Sequence, residues 1–175
     1  ATLITALNYF GAVSLVEGLR PVLAKKSGSV VLLCSNSAPM SSSKDLLLDP
    51  LLDGDETAAL KIAEQETGME YMAGKRALAY WMRKNSFDYA RAGIRINAVA
   101  PGPIQTPMVE ALFETPGMKD AVDTLLRVTP IERMGQPHEV ANAIRFLLGG
   151  DAGYICGSVL FIDGGYDAAT RPESL

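Results

Sequence analysis

Three short runs rich in apolar residues, set apart by long stretches of helical period, constrain this chain more than any other feature. They are Ser29 to Ser35 (Ser-Val-Val-Leu-Leu-Cys-Ser), Ile94 to Val99 (Ile-Arg-Ile-Asn-Ala-Val) and Ser158 to Ile162 (Ser-Val-Leu-Phe-Ile). Such runs suit strands buried on both faces, because a strand with one wet face alternates apolar and polar residues. Helical stretches rather than hairpin turns join them, which implies parallel pairing through right-handed crossovers. The fold class is therefore α/β, and 175 residues suit a single domain with its own core.

Between the runs, Leu3, Leu7, Phe10, Leu15, Leu19 and Leu23 recur near helical spacing and predict a helix from Thr2 to Lys26. From Asn36 to Thr67 the chain reads as a loop through Pro39 and Ser41 to Ser43, then as a short helix between Glu56 and Glu66. A long helix is expected from Glu70 to Tyr89, stopped at Ala92-Gly93. Pro101-Gly102-Pro103 is expected to end the second strand, since proline cannot donate to a ladder. One or two helices follow between Pro107 and Val128, interrupted at Pro116-Gly117, and another runs from Pro137 to Leu148. The chain opens without an initiator Met and already inside an apolar-periodic helix, from which a preceding segment is expected.

Charge and composition exclude several classes of partner. A net charge of -4, with both signs scattered, provides no basic stripe to neutralise a phosphate backbone, so nucleic acid is not expected. No apolar run is read as reaching the roughly 20 residues of a membrane span, so no membrane association is expected either. Cys34 and Cys156 each sit in an apolar run and are expected as buried, reduced thiols, in keeping with a cytoplasmic setting. Asp45, Asp49, Asp53 and Asp55 lack the ligand alternation of a calcium loop and read as a solvated face; no metal is expected.

Chemistry concentrates at Tyr71 and Lys75. Four residues apart on one predicted helix, they share a face and reach the same small volume. An ammonium held near a phenol favours the phenolate, which suits a tyrosine to acid/base work. Ser35, with Ser37 as the near alternative, ends the preceding strand, where open α/β sheets form their ligand crevices. A hydroxyl there can donate to a carbonyl oxygen and stabilise a developing alkoxide. A serine-histidine relay is disfavoured, because the single histidine, His138, reads as a surface residue and no G-x-S-x-G elbow occurs.

Taken together, Ser35, Tyr71-Met-Ala-Gly-Lys75, Gly93-Ile-Arg-Ile-Asn-Ala-Val-Ala-Pro-Gly102 and Phe161-Ile-Asp-Gly-Gly165 resemble the short-chain dehydrogenase/reductase family over nearly the whole chain. The resemblance implies a Rossmann-like doubly wound parallel sheet of which this chain carries the last three strands and their helices. It implies Tyr71 as catalytic acid/base, Lys75 as its partner and a holder of the nicotinamide ribose, and Ser35 as the carbonyl-polarising hydroxyl. Asn8, in Leu-Asn-Tyr-Phe-Gly-Ala, resembles the family's helix asparagine, which holds a proton-relaying water. Pro101, Gly102, Ile104 and Thr106 are the implied cofactor contacts; a sharp proline-glycine turn lets backbone approach a flat ring and leaves an amide for its carboxamide.

The implied cofactor is NAD or NADP, the implied substrate a small-molecule alcohol or ketone, and the implied assembly a homo-oligomer. No phosphate-binding G-x-x-x-G-x-G loop occurs within the chain, nor the residue that would choose between the two dinucleotides. An upstream segment of roughly 70 to 90 residues is expected to carry them. The long segment between Ser35 and Tyr71 and the ending after Asp163 resemble bacterial 3α-hydroxysteroid dehydrogenase/carbonyl reductases, implying a bulky, apolar substrate such as a steroid. The stretch from Pro107 to Arg127 is the implied lid. The rival expectation is a non-catalytic dinucleotide-binding or oligomerisation module.

Overall fold

The three apolar runs are strands in a computed structural model, which describes residues 1–40, 46–65, 68 and 70–173. The polar stretch 41–45, Asp45 with it, and the carboxyl end of the expected helix at Glu66 lie outside those residues. β1 (Ser29–Leu33), β2 (Arg95–Pro101) and β3 (Val159–Ile162) form a parallel sheet in the order β1-β2-β3. Val31 sits opposite Asn97, and Ala98 opposite Val159. β2 is central, and Ile96, Asn97, Ala98 and Val99 along it are fully buried.

Helices cover both faces, as expected where strands are apolar on both sides. On one face, α1 (Thr2–Ala24), α2 (Leu48–Asp53), α3 (Glu56–Gln65) and α4 (Glu70–Arg91) enclose the larger core, in which Leu51, Leu78, Trp81, Met82 and Tyr89 meet Leu32 and Ile96. On the other, α7 (Pro137–Leu148) packs Val140 and Leu147 against Val99. α5 (Pro107–Leu112) and α6 (Met118–Arg127) lie between β2 and α7 in the chain, and α8 (Tyr166–Thr170) follows β3. Gly93, at φ 79°, stops α4 in the left-handed conformation, and Ile94 N–H returns to the Tyr89 carbonyl at 2.9 Å. Arg95 then clamps the far end of α7, donating to the carbonyls of Leu147 (2.8 Å), Leu148 (3.3 Å) and Gly149 (2.9 Å). A cation there meets the partial negative charge of a helix terminus.

Four expectations need correction. The stretch read as loop before Glu56 contains α2, whose Leu48 and Leu51 are buried in the core; its proline and serine neighbours masked the apolar spacing. β2 does not stop short of Pro101: its carbonyl accepts from Asn36 N–H (2.9 Å), and the next residue, Gly102, donates to Ile162 (3.0 Å). The missing proline donor falls at the strand's last residue, where it costs least. Cys34 is buried, but Cys156 is exposed, because the apolar run before β3 lies on a surface loop. Finally, α1 is a 23-residue helix with mean hydropathy 1.3 in its most apolar window, long and apolar enough by length and composition to cross a membrane. It nonetheless seats Thr5, Tyr9 and Val16 in the protein, and Tyr9 and Val16 join the larger core.

Asn97 pins the sheet to the loop that precedes β3. Its side-chain amide donates to the Ile155 carbonyl (2.9 Å) and its oxygen accepts from Ser158 N–H (3.0 Å), all without exposure. Asn97→Ala strands both backbone groups and is expected to lower stability by about 3 kcal/mol. The urea midpoint measures this, and a change below about 1 kcal/mol would mean that the loop rearranges to satisfy both groups.

Candidate active site

A cavity of about 350 Å³ opens at the carboxyl ends of β1 and β2, lined by Ser35, Tyr71, Lys75, Gly102, Ile104 and Thr106 among others. Pro101 lines it as well, so seven of the eight residues singled out from sequence converge. The eighth, Asn8, does not line the cavity. It is half-buried in a π-helical segment, Ala6–Gly11, that interrupts α1 and packs against α4, the helix carrying Tyr71 and Lys75. Local π-helical widening of this kind recurs at functional sites. His138 is exposed, as expected of a surface residue, and stands outside the cavity lining.

Each side chain is aimed by its element. α4 turns Tyr71 and Lys75 to one side, with Lys75 Nζ 5.6 Å from the centre of the Tyr71 ring. Lys75 is buried, and its ammonium donates to the Leu33 carbonyl at 2.8 Å. That carbonyl is free to accept because Cys34 and Asn36 direct their N–H groups to Val99 and Pro101, so alternation turns Leu33 toward the open edge of β1. Burial lowers the Lys75 pKa from its ordinary value, since a desolvated ammonium is costly; among the described residues no carboxylate lines the cavity to offset it. Burial likewise pushes the neighbouring Cys34 thiol up to about 11, with Lys75 pulling the other way, so Cys34 stands as a neutral thiol beside the cation.

Ser35 is buried at the end of β1. Its Oγ lies 2.9 Å from Ser37 Oγ and accepts from Ser37 N–H at 3.2 Å. Sequence reading had to leave these two hydroxyls as alternatives; the turn after β1 brings them together. Across the cavity, Gly102 has no room for a side chain. A Cβ there would sit 3.0 Å from Asp163 Cα and 3.4 Å from Asn36 Nδ2. The Asp163-Gly-Gly motif therefore works structurally, its carboxylate accepting from Gly165 (3.0 Å) and Asp167 (2.8 Å) while its backbone packs on the proline-glycine turn.

Ile104 forms an isolated bridge with Gly135, in which Gly135 N–H reaches Pro103 and Gln105 N–H reaches Gly135, both at 2.9 Å. In parallel geometry that arrangement turns the N–H and C=O of Ile104 itself away from Gly135. Thr106 caps α5 by accepting from Val109 N–H at 3.3 Å. Val109, Pro137 and Val140 also line the cavity and were not anticipated, because only the packing of α5 and α7 brings them there. A larger cleft of about 530 Å³ runs along β3 past Leu160, Phe161 and Arg133, and it contains none of the candidate catalytic side chains.

The fold is shared with known proteins. A family model described as enoyl-(acyl carrier protein) reductase matches residues 56–167. The 3-alpha-hydroxysteroid dehydrogenase/carbonyl reductase of Comamonas testosteroni is 34% identical over 175 residues, covering 97% of this chain and 67% of that protein. The crystal structure of the 3-alpha-hydroxysteroid dehydrogenase from Pseudomonas sp. B-0831 complexed with NADH superposes with a TM-score of 0.93 at 37% identity, covering 99% of this chain and 69% of that one. ElxO with NADP bound is more distant, with a TM-score of 0.67 at 26% identity and coverage of 91% and 54%. A family model that spans more than half of the chain, and a relative of this identity matched over two thirds of its length, show that the chain belongs to the short-chain dehydrogenase/reductase family of oxidoreductases.

Proposed function

We propose that this chain is the catalytic part of an NAD(P)-dependent oxidoreductase that interconverts a secondary alcohol and a ketone. One observation carries the reading: a buried lysine and a tyrosine one helical turn apart share a cavity with a strand-end serine hydroxyl. A bound nicotinamide supplies or takes the hydride. Tyr71 gives or takes the proton at the substrate oxygen, Ser35 donates a hydrogen bond to that oxygen, and the Lys75 ammonium stabilises negative charge developing on the phenol.

The residues present suit a dinucleotide. Ile104 directs its amide away from its bridge, the Pro101-Gly102 turn lines the cavity, and Lys75 offers further ammonium protons to ribose hydroxyls. Asn8 is assigned, as in the family, to the proton path behind Lys75. The open edge of β1 and the exposed Leu3, Leu7, Leu15 and Val22 of α1 support a domain in which further strands, carrying the phosphate-binding glycines, seat on this side.

For substrate, we propose a bulky apolar ketone or alcohol of the steroid kind. Leu33, Ile104, Val109 and Val140 give the cavity apolar walls, and α6 is strongly amphipathic with no fully buried residue among those described, as suits a lid. The relatives from Comamonas and Pseudomonas carry hydroxysteroid dehydrogenase in their names. The test is nicotinamide absorbance, with NAD and NADP in turn, over a panel of steroidal and small ketones and alcohols, using the natural full-length protein. Turnover of steroids ahead of small ketones is expected. Dinucleotide binding without turnover of any member would favour a non-catalytic module.

A further inference from the structure

We propose that Ser37 is a positioning residue that forces the Ser35 hydroxyl to act as a donor; this rests on the role given to Ser35 above. A serine hydroxyl has one proton to give and two lone pairs with which to accept. Ser37 N–H already occupies one lone pair of Ser35 Oγ at 3.2 Å. The two hydroxyls lie 2.9 Å apart, and either can donate to the other. If Ser35 donates to Ser37, its only proton is spent and it cannot polarise a substrate carbonyl. If Ser37 donates, both lone pairs of Ser35 are filled, and its proton has no destination but the cavity that Ser35 lines. A carbonyl oxygen brings no proton of its own, so its arrival selects the second state. Donors arranged head to tail also polarise one another, making Ser35 the stronger donor.

The fold holds Ser37 for this work. Ala38 N–H returns to the Ser35 carbonyl (3.1 Å) and Met40 N–H to the Ser37 carbonyl (2.9 Å), closing a 3-10 turn, Ala38–Met40, directly after β1. Ser37 is half-buried and does not line the cavity itself, so it reaches the substrate oxygen only through Ser35.

A double-mutant cycle in the full-length protein tests this, with kcat and KM for reduction of a ketone as readouts. Ser37→Ala is expected to lower kcat about three- to tenfold with KM little changed, and Ser37→Thr, which keeps the hydroxyl, to restore it. In a Ser35→Ala background, Ser37→Ala is expected to have no further effect, because nothing remains to be oriented. A loss that multiplies across the two backgrounds, or one that Ser37→Thr does not repair, overturns the positioning role while leaving Ser35 in place. If Ser35→Ala keeps full turnover while Tyr71→Phe loses it, the role of Ser35 fails and this inference fails with it.

Discussion

Tyr71→Phe in the full-length protein will lower turnover by about three orders of magnitude, within the range general acid-base catalysis contributes, while leaving fold and dinucleotide binding nearly intact. The substitution removes one oxygen from a side chain that is 44% exposed, so packing changes little and the melting temperature should hold. What disappears is the only phenol lining the cavity among the described residues. Cys34, which also lines the cavity, is a poor substitute because burial pushes its thiol up to about 11. Absorbance of reduced nicotinamide under saturating ketone measures the loss, and fluorescence titration of the dinucleotide checks that binding survives. If the variant turned over within tenfold of the parent, the proton would have to come from elsewhere, and water reaching an open cavity would be the candidate.

Much of the fold could be read from local pattern because the strands are largely apolar and the long helices keep a regular apolar period. β1, β2 and β3 sit where the runs from Ser29, Ile94 and Ser158 put them, and α4 extends from Glu70 as its periodicity requires. What escaped was decided by tertiary packing. α2 escaped because its leucines cluster beside Pro50 and an acidic stretch, and only contact with α4 shows which of them are core. The exposure of Cys156 depends on how the loop after α7 crosses the protein, which no local run records.

The site divides in the same way. Tyr71, Lys75 and the Pro101-Gly102 turn were visible because their spacing is itself the geometry. The pairing of Ser35 with Ser37, the Leu33 carbonyl beneath Lys75 and the walls at Val109 and Val140 depend on the turn after β1, an open strand edge and the docking of two late helices. The tight approach of Gly102 to Asp163 joins two motifs that stand far apart in the chain, and it explains why glycine is required at a turn whose φ is not left-handed.

Lys75→Met separates what the buried cation does for chemistry from what it does to the fold. The methionine fills a similar volume without charge, and in this chain the Leu33 carbonyl that loses its donor belongs to a residue 52% exposed. Turnover is expected to fall by about 10²- to 10³-fold, as for loss of one preorganised electrostatic donor, and the KM for dinucleotide to rise. Stability should respond in the opposite sense at neutral pH. The folded-state pKa of Lys75 lies below the ordinary 10.5, so between the two values the unfolded chain binds more protons than the native one. Stability from this group is therefore fully present only above 10.5 and is lost as pH falls through the folded value. The parent should gain stability relative to Lys75→Met as pH rises toward 10.5, and the variant should equal or exceed it near neutrality. Urea midpoints of both proteins between neutral pH and pH 10.5 read the difference directly. Parallel pH profiles would mean that the ammonium is solvated in the native state, and a desolvated lysine could then no longer be the group that holds charge at the phenol.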